Sequence, residues 1–118
     1  MTGVQTCALP ISASDIVIGR AGASTVAEIA TVGVASILVP WSGAADDHQT
    51  LNARWLADAG AAVLVDERSG MPGQLVEALR GLVESPAARE SMARAARALG
   101  ERNRSTSLDT VIHNAAQR

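Results

Sequence analysis

Phenylalanine and tyrosine are absent from this sequence, and there are only two tryptophans. A core without large rings must be filled by Ala, Val and Leu, so its elements have to pack close together. The one cysteine, Cys7, excludes a disulfide framework and a cysteine metal site within a single chain. A dominant charge is missing as well: 10 basic against 12 acidic residues leave a formal net charge of −2, which gives no general electrostatic reason to bind nucleic acid or anionic lipid. No apolar run approaches the roughly 20 residues of a membrane span. Internal repeats and low-complexity tracts are also lacking. What is present is 118 residues, room for one domain at most, with 47% apolar residues to build its core.

Residues 1–11, MTGVQTCALPI, do not read like the rest. The segment has no basic leader, and its apolar stretch is too short for a signal peptide. It resembles the translation of a common sequencing-adapter oligonucleotide joined to a truncated reading frame. It is therefore set aside from fold reasoning, Cys7 with it, and 12–118 are expected to begin in the middle of a domain.

Three continuous apolar runs, 16–18, 34–39 and 61–65, read as buried strands. Helix patterns alternate with them. The first covers 25–32, with Val26, Ile29 and Ala30 on one face and Gly33 as its stop. The second runs from about 49 to 59, with Leu51, Trp55, Leu56 and Ala59 inward and Gly60 closing it. Leu75, Val76, Leu79, Leu82 and Val83 form an apolar stripe after a polar loop over 66–73. Ser85-Pro86 starts another helix, with Met92, Ala95, Ala96 and Leu99 facing the core and Gly100 ending it. A charged link over 101–104 then leads to a last helix capped by Ser107 and carrying Leu108, Val111, Ile112 and Ala115. Alternating strands and helices, each strand apolar throughout, predict an α/β fold: a Rossmann-like parallel sheet with helices on both faces. Three strands are few for such a sheet, so the chain reads as the second half of a domain, with one sheet edge lacking its neighbour.

The stretch GRAGASTVAEIA, 19–30, organises the candidate chemistry. A strand runs into the small-residue turn Ala21-Gly22-Ala23-Ser24, where Gly22 can take positive φ and a ligand can approach the backbone. Thr25 as N-cap and Glu28 three residues on would form a capping box. The free N–H groups of the first helical turn make an anion site, and the combination points to a nucleotide diphosphate. The bland alternative is an ordinary strand-to-helix turn. Gln49 and Asn52, three apart, share one face at the start of the second helix, and amides both donate and accept, as sugar recognition requires. The alternative there is a solvated first turn. His48 in a polar loop reads either as exposed or as a ligand. Asp46-Asp47 reads as helix capping rather than as a metal pair. His113 reads as surface, Trp55 as core or domain contact, and Met92 as core.

GRAGASTVAEIATVG, then ILVP, then AADDHQTLNARWLADAGAAVLV closely resemble the C-terminal domain of glycosyltransferase family 28, in the branch of bacterial peptidoglycan N-acetylglucosaminyltransferases. The resemblance runs from about Ser14 to the end. It is strong through Val65 and weak after Asp66. It implies a GT-B fold of two Rossmann-like domains, of which the C-terminal one binds a UDP-sugar donor. It implies transfer of GlcNAc from UDP-GlcNAc to lipid I, giving lipid II with inversion at the anomeric carbon and with neither cofactor nor metal. It places the whole protein on the cytoplasmic face of the bacterial plasma membrane, peripherally bound, with no nucleic-acid partner. The acceptor site and much of the membrane contact belong to an N-terminal domain absent from this chain. A chain missing that domain, and the glycine- and serine-rich loop at the start of its own, is expected to bind donor weakly and to be inactive alone.

The same resemblance assigns roles residue by residue. Glu28 would accept hydrogen bonds from both ribose hydroxyls. Gly22, Ala23, Ser24 and Thr25 would meet the diphosphate and uridine. Arg20 would offset charge on the leaving group, or else tie loops together. Gln49 and Asn52, with His48 beside them, would bind the GlcNAc. Ala35, where many members have proline, and Trp41-Ser42-Gly43, where many have an aromatic and a polar pair, depart from the family pattern. Two alternatives stand. One is another GT-B enzyme using a UDP-sugar, such as an antibiotic or glycolipid glycosyltransferase, or UDP-GlcNAc 2-epimerase. The other is a non-catalytic nucleotide-binding module.

Overall fold

The computed structural model describes residues 4–5, 15–41, 48–68 and 70–116, with 4–5 and 103–116 as backbone alone. Four strands, β1 (Val4–Gln5), β2 (Ile16–Gly19), β3 (Ala35–Leu38) and β4 (Val63–Leu64), form one parallel sheet in that order. Four helices accompany them: α1 (Ala23–Val32), α2 (His48–Ala57), α3 (Met71–Glu84) and α4 (Pro86–Ala116). The register pairs Val17 with Ser36, Gly19 with Leu38, and Leu38 with Leu64, so the carboxyl ends of β2, β3 and β4 lie side by side.

Both faces of the sheet are covered, which is why β2, β3 and β4 are largely apolar rather than alternating. On one face, Val17 and Leu38 pack against Val26, Ile29 and Ala30 of α1, Ala53 and Leu56 of α2, and Ala96 of α4. On the other, Ile16, Ala35, Ile37, Val39 and Val65 pack against Leu82 of α3, with Leu75, Leu79 and Met92 partly buried beside them. Successive strands step the same way across the sheet, which carries α1 and α2 to the same face. Ser36 on β3 is fully buried, and its hydroxyl has no partner among the described residues.

Several expectations are corrected. The sheet has four described strands, not three, because β1 comes from the segment set aside on composition. It pairs in parallel with β2, Val4 opposite Ile16, and so covers backbone groups that would otherwise form an open edge. The first helix begins at Ala23, two residues early, with Gly22 as its N-cap. Ala59 is exposed and Leu51 is 60% exposed; Ala53 faces inward instead. Val76 and Val83 are half exposed because α3 turns Leu75, Ala78, Leu79 and Leu82 to the sheet instead. The loop before α3 is shorter than expected, since the helix starts at Met71 with Pro72 in its first turn.

The largest correction concerns Gly100. It does not end a helix: α4 runs unbroken through it, so 101–104 are helical and Ser107 lies inside the helix rather than at a start. A Cβ at Gly100 would fall on the Ala30 carbonyl, 2.7 Å from its carbon, so the missing side chain lets α4 lie directly on α1. Gly33 behaves as expected. It caps α1 at φ 76° and donates its N–H to the Ile29 carbonyl at 2.9 Å. Ser85 also behaves as expected, its hydroxyl accepting from the Ala88 N–H at 3.1 Å at the start of α4.

Candidate functional site

The β2–β3 ladder closes with the Val39 N–H on the Gly19 carbonyl at 2.9 Å. Beyond that rung the chain leaves the sheet through Arg20, Ala21 and Gly22 and enters α1. Gly22 is extended, at φ −67° and ψ 154°, not at positive φ, and a Cβ there would meet nothing within 4 Å. Neither turn geometry nor packing among the described residues therefore calls for glycine here. Among those residues the space above its backbone is open.

The first intrahelical bond of α1 runs from Val26 N–H to the Gly22 carbonyl at 3.0 Å. The N–H groups of Ala23, Ser24 and Thr25 precede it, no side chain among the described residues caps them, and no acidic residue stands in the first turn. The capping box expected from Thr25 and Glu28 is thus not formed. Thr25 is the third residue of the helix rather than its cap, and Glu28 lies one turn further in. Ser24, Thr25 and Glu28 are spaced to share a face of α1, and the Glu28 side chain is exposed without a partner among the described residues. Three free donors at a positive helix end, with a free carboxylate a turn away, leave room for an anion and a polar group beside it.

Helix α2 supports this turn. Gln49 Oε1 accepts from the Trp41 N–H at 2.8 Å and from the Ala21 N–H at 3.3 Å, and Asn52 Nδ2 donates to the Ala21 carbonyl at 2.9 Å. These contacts orient both amides: Gln49 keeps its Nε2 donors, and Asn52 keeps its Oδ1 acceptor. Arg20 reaches across the strand ends, donating to the Val39 carbonyl at 3.3 Å and pairing with Glu67 at 2.9 Å. It ties the three loops at the carboxyl edge together, the structural half of what was expected of it. Its side chain remains 49% exposed beside the turn. His48 is exposed at the first position of α2. Asp46, Asp47 and the rest of 42–47 lie outside the described residues, as does the His113 side chain.

Arg20, Gly22, Ala23, Ser24, Thr25, Gln49 and Asn52 therefore come from two adjoining loops and helix starts at one end of the sheet, with Glu28 a turn into α1. Sequence reasoning missed Ala21, Trp41 and Glu67. Ala21 and Trp41 act only through their backbones, which no residue pattern marks. Glu67 could have been found as one of two adjacent acids, with Asp66, in the third loop at that edge. An open groove of about 830 Å³ lies elsewhere, between β4 and the start of α3, lined by Val63, Leu64, Val65, Pro72 and Val76. Its walls are mostly apolar and none of the candidate residues lines it, so the convergent polar groups mark the site. Among the described residues no three His, Cys, Asp or Glu side chains gather as metal ligands, and no helix is long and apolar enough to cross a membrane.

Comparison with known proteins follows the same outline. The profile of the glycosyltransferase family 28 C-terminal domain matches residues 4–109. A UDP-N-acetylglucosamine--N-acetylmuramyl-(pentapeptide) pyrophosphoryl-undecaprenol N-acetylglucosamine transferase of Xanthomonas axonopodis pv. citri is 50% identical over 88 residues, 75% of this chain and 21% of that protein. The protein of the same name from Burkholderia multivorans is 49% identical over 98 residues, 83% of this chain and 26% of that one. Among solved structures, the crystal structure of Acinetobacter baumannii MurG superposes with a TM-score of 0.64 at 44% identity, covering 71% of this chain and 24% of that chain. The chain thus spans between a fifth and about a quarter of the length of the relatives it matches.

Proposed function

The chain belongs to glycosyltransferase family 28, and from that premise we propose that it is the donor-binding part of an N-acetylglucosaminyltransferase that takes its sugar from UDP-GlcNAc. The observation that carries this reading is the uncapped start of α1 under an open Gly22, with the free Glu28 carboxylate one turn on. The diphosphate lies against the N–H groups of Ala23, Ser24 and Thr25. The ribose diol faces Glu28, whose two oxygens accept one hydrogen bond from each hydroxyl. The remaining amide groups of Gln49 and Asn52, with His48 beside them, face the GlcNAc.

The chemistry follows from charge. An acceptor hydroxyl displaces UDP from the anomeric carbon, and negative charge grows on the departing diphosphate. Fixed N–H donors at a helix start stabilise that charge more strongly in the transition state than in the bound donor. Arg20, tied down by Val39 and Glu67, adds a positive group nearby. In the whole protein the acceptor is lipid I and the product lipid II, made at the cytoplasmic face of the membrane for peptidoglycan. The rest of that protein holds the acceptor, so this chain alone binds donor weakly and turns nothing over.

Calorimetric titration with UDP and with UDP-GlcNAc tests the reading. Tighter binding of UDP-GlcNAc supports a sugar donor site. Equal affinity favours a nucleotide-binding module without sugar preference. Absence of binding by both overturns the proposal.

A further inference from the structure

We propose that Gln49 and Asn52 are positioning residues, which set the diphosphate-facing turn through the backbone of Ala21; this rests on the reading of that turn as the donor site. Ala21 is fully buried and sits one residue before Gly22, the N-cap of α1, past the last rung of the β2–β3 ladder. A buried residue outside a sheet still needs partners for its backbone N–H and its carbonyl. Both partners come from α2: Gln49 Oε1 takes the N–H and Asn52 Nδ2 the carbonyl. Gln49 Oε1 also holds the Trp41 N–H, so a single oxygen joins the loops after β2 and β3. Two bonds fill that oxygen's accepting capacity, which leaves only Nε2 to reach a ligand. The first turn of α1 thus inherits its placement from α2, and losing Gln49 weakens a ligand that never touches its side chain.

UDP without sugar separates this role from direct sugar contact. In the Gln49→Met variant, which keeps length and loses the acceptor, UDP affinity is expected to fall about tenfold, the scale of one or two lost hydrogen bonds. Amide hydrogen exchange at Ala21 and Trp41 is expected to speed up by a similar factor. Gln49→Glu keeps an accepting oxygen and should retain both protections. Asn52→Ala, which removes the bond to the Ala21 carbonyl and leaves Gln49 in place, gives an independent second arm if Gln49→Met does not fold; it should weaken UDP in the same direction. Unchanged exchange in Gln49→Met overturns the clamp. Faster exchange with unchanged UDP affinity overturns the positioning role, as does a weakening seen for UDP-GlcNAc alone. A wild-type chain that binds no UDP removes the donor reading and the positioning role with it, while the exchange rates then report the clamp by itself.

Discussion

Replacing Gly100 by alanine should destabilise the protein, while the same replacement at Gly81 should stabilise it. Both glycines lie inside helices, α4 and α3, and alanine in a helix interior is favoured over glycine by about 1 kcal/mol. At Gly81 a Cβ meets nothing within 4 Å, so the propensity gain stands alone. At Gly100 the Cβ falls on the Ala30 carbonyl, with the Ala30 side chain 3.2 Å away. Those atoms belong to the body of α1, which cannot swing aside as a long side chain can. Accommodation requires α4 to lift off α1, loosening Ala96 and Leu99 from their packing. Strain of this kind costs about 3 kcal/mol at the upper end of the usual range, which leaves a net loss of about 2 kcal/mol after the propensity gain. Urea unfolding followed by circular dichroism measures both variants against the parent chain. Shifts of the same sign at the two positions would refute the close α1–α4 contact.

Other substitutions probe the remaining structure. Ser36→Ala removes a fully buried hydroxyl that has no partner among the described residues, so unfolding free energy should stay level or rise by about 1 kcal/mol in the same urea assay. Gly22→Ser should separate stability from binding. The backbone angles suit serine and its hydroxyl can cap α1, adding about 0.3 kcal/mol, yet the side chain then occupies the N–H groups offered to the diphosphate. Melting temperature should rise while UDP affinity falls; a parallel change in both would count against the site.

Strands β2, β3 and β4 are legible in the sequence because each falls in a largely apolar run bounded by Asp15, Pro40 or Gly60, and burial on both faces is what makes such runs. The stop at Gly33 and the start at Ser85-Pro86 are legible because capping is local chemistry. Gly100 is misread for the same reason: one glycine in a helical pattern resembles a stop, and only the path of α1 shows it to be a contact. The small residues Ala93, Ala96 and Gly100 at helical spacing were the available signal. At the site, the turn and Glu28 stand out by spacing, but the expected capping box fails because Gly22 takes the cap position and the helix starts two residues early. The joining of Ala21 to Gln49 and Asn52 spans 28 and 31 residues and uses backbone groups, so it is decided by the fold rather than by any local pattern. The strand at Val4–Gln5 escapes notice because its surroundings were set aside on composition, whereas its pairing depends on the vacant flank of β2.

The most direct measurement is a binding cycle on the ribose. UDP and 2′-deoxy-UDP are titrated calorimetrically into the parent chain and into Glu28→Ala. A carboxylate holding both hydroxyls should favour UDP in the parent by about 1–3 kcal/mol, the scale of a charged hydrogen bond, and that preference should vanish in the variant. If Glu28→Ala discriminates between the two nucleotides as well as the parent does, the carboxylate does not meet the ribose, and the placement of UDP along α1 is wrong.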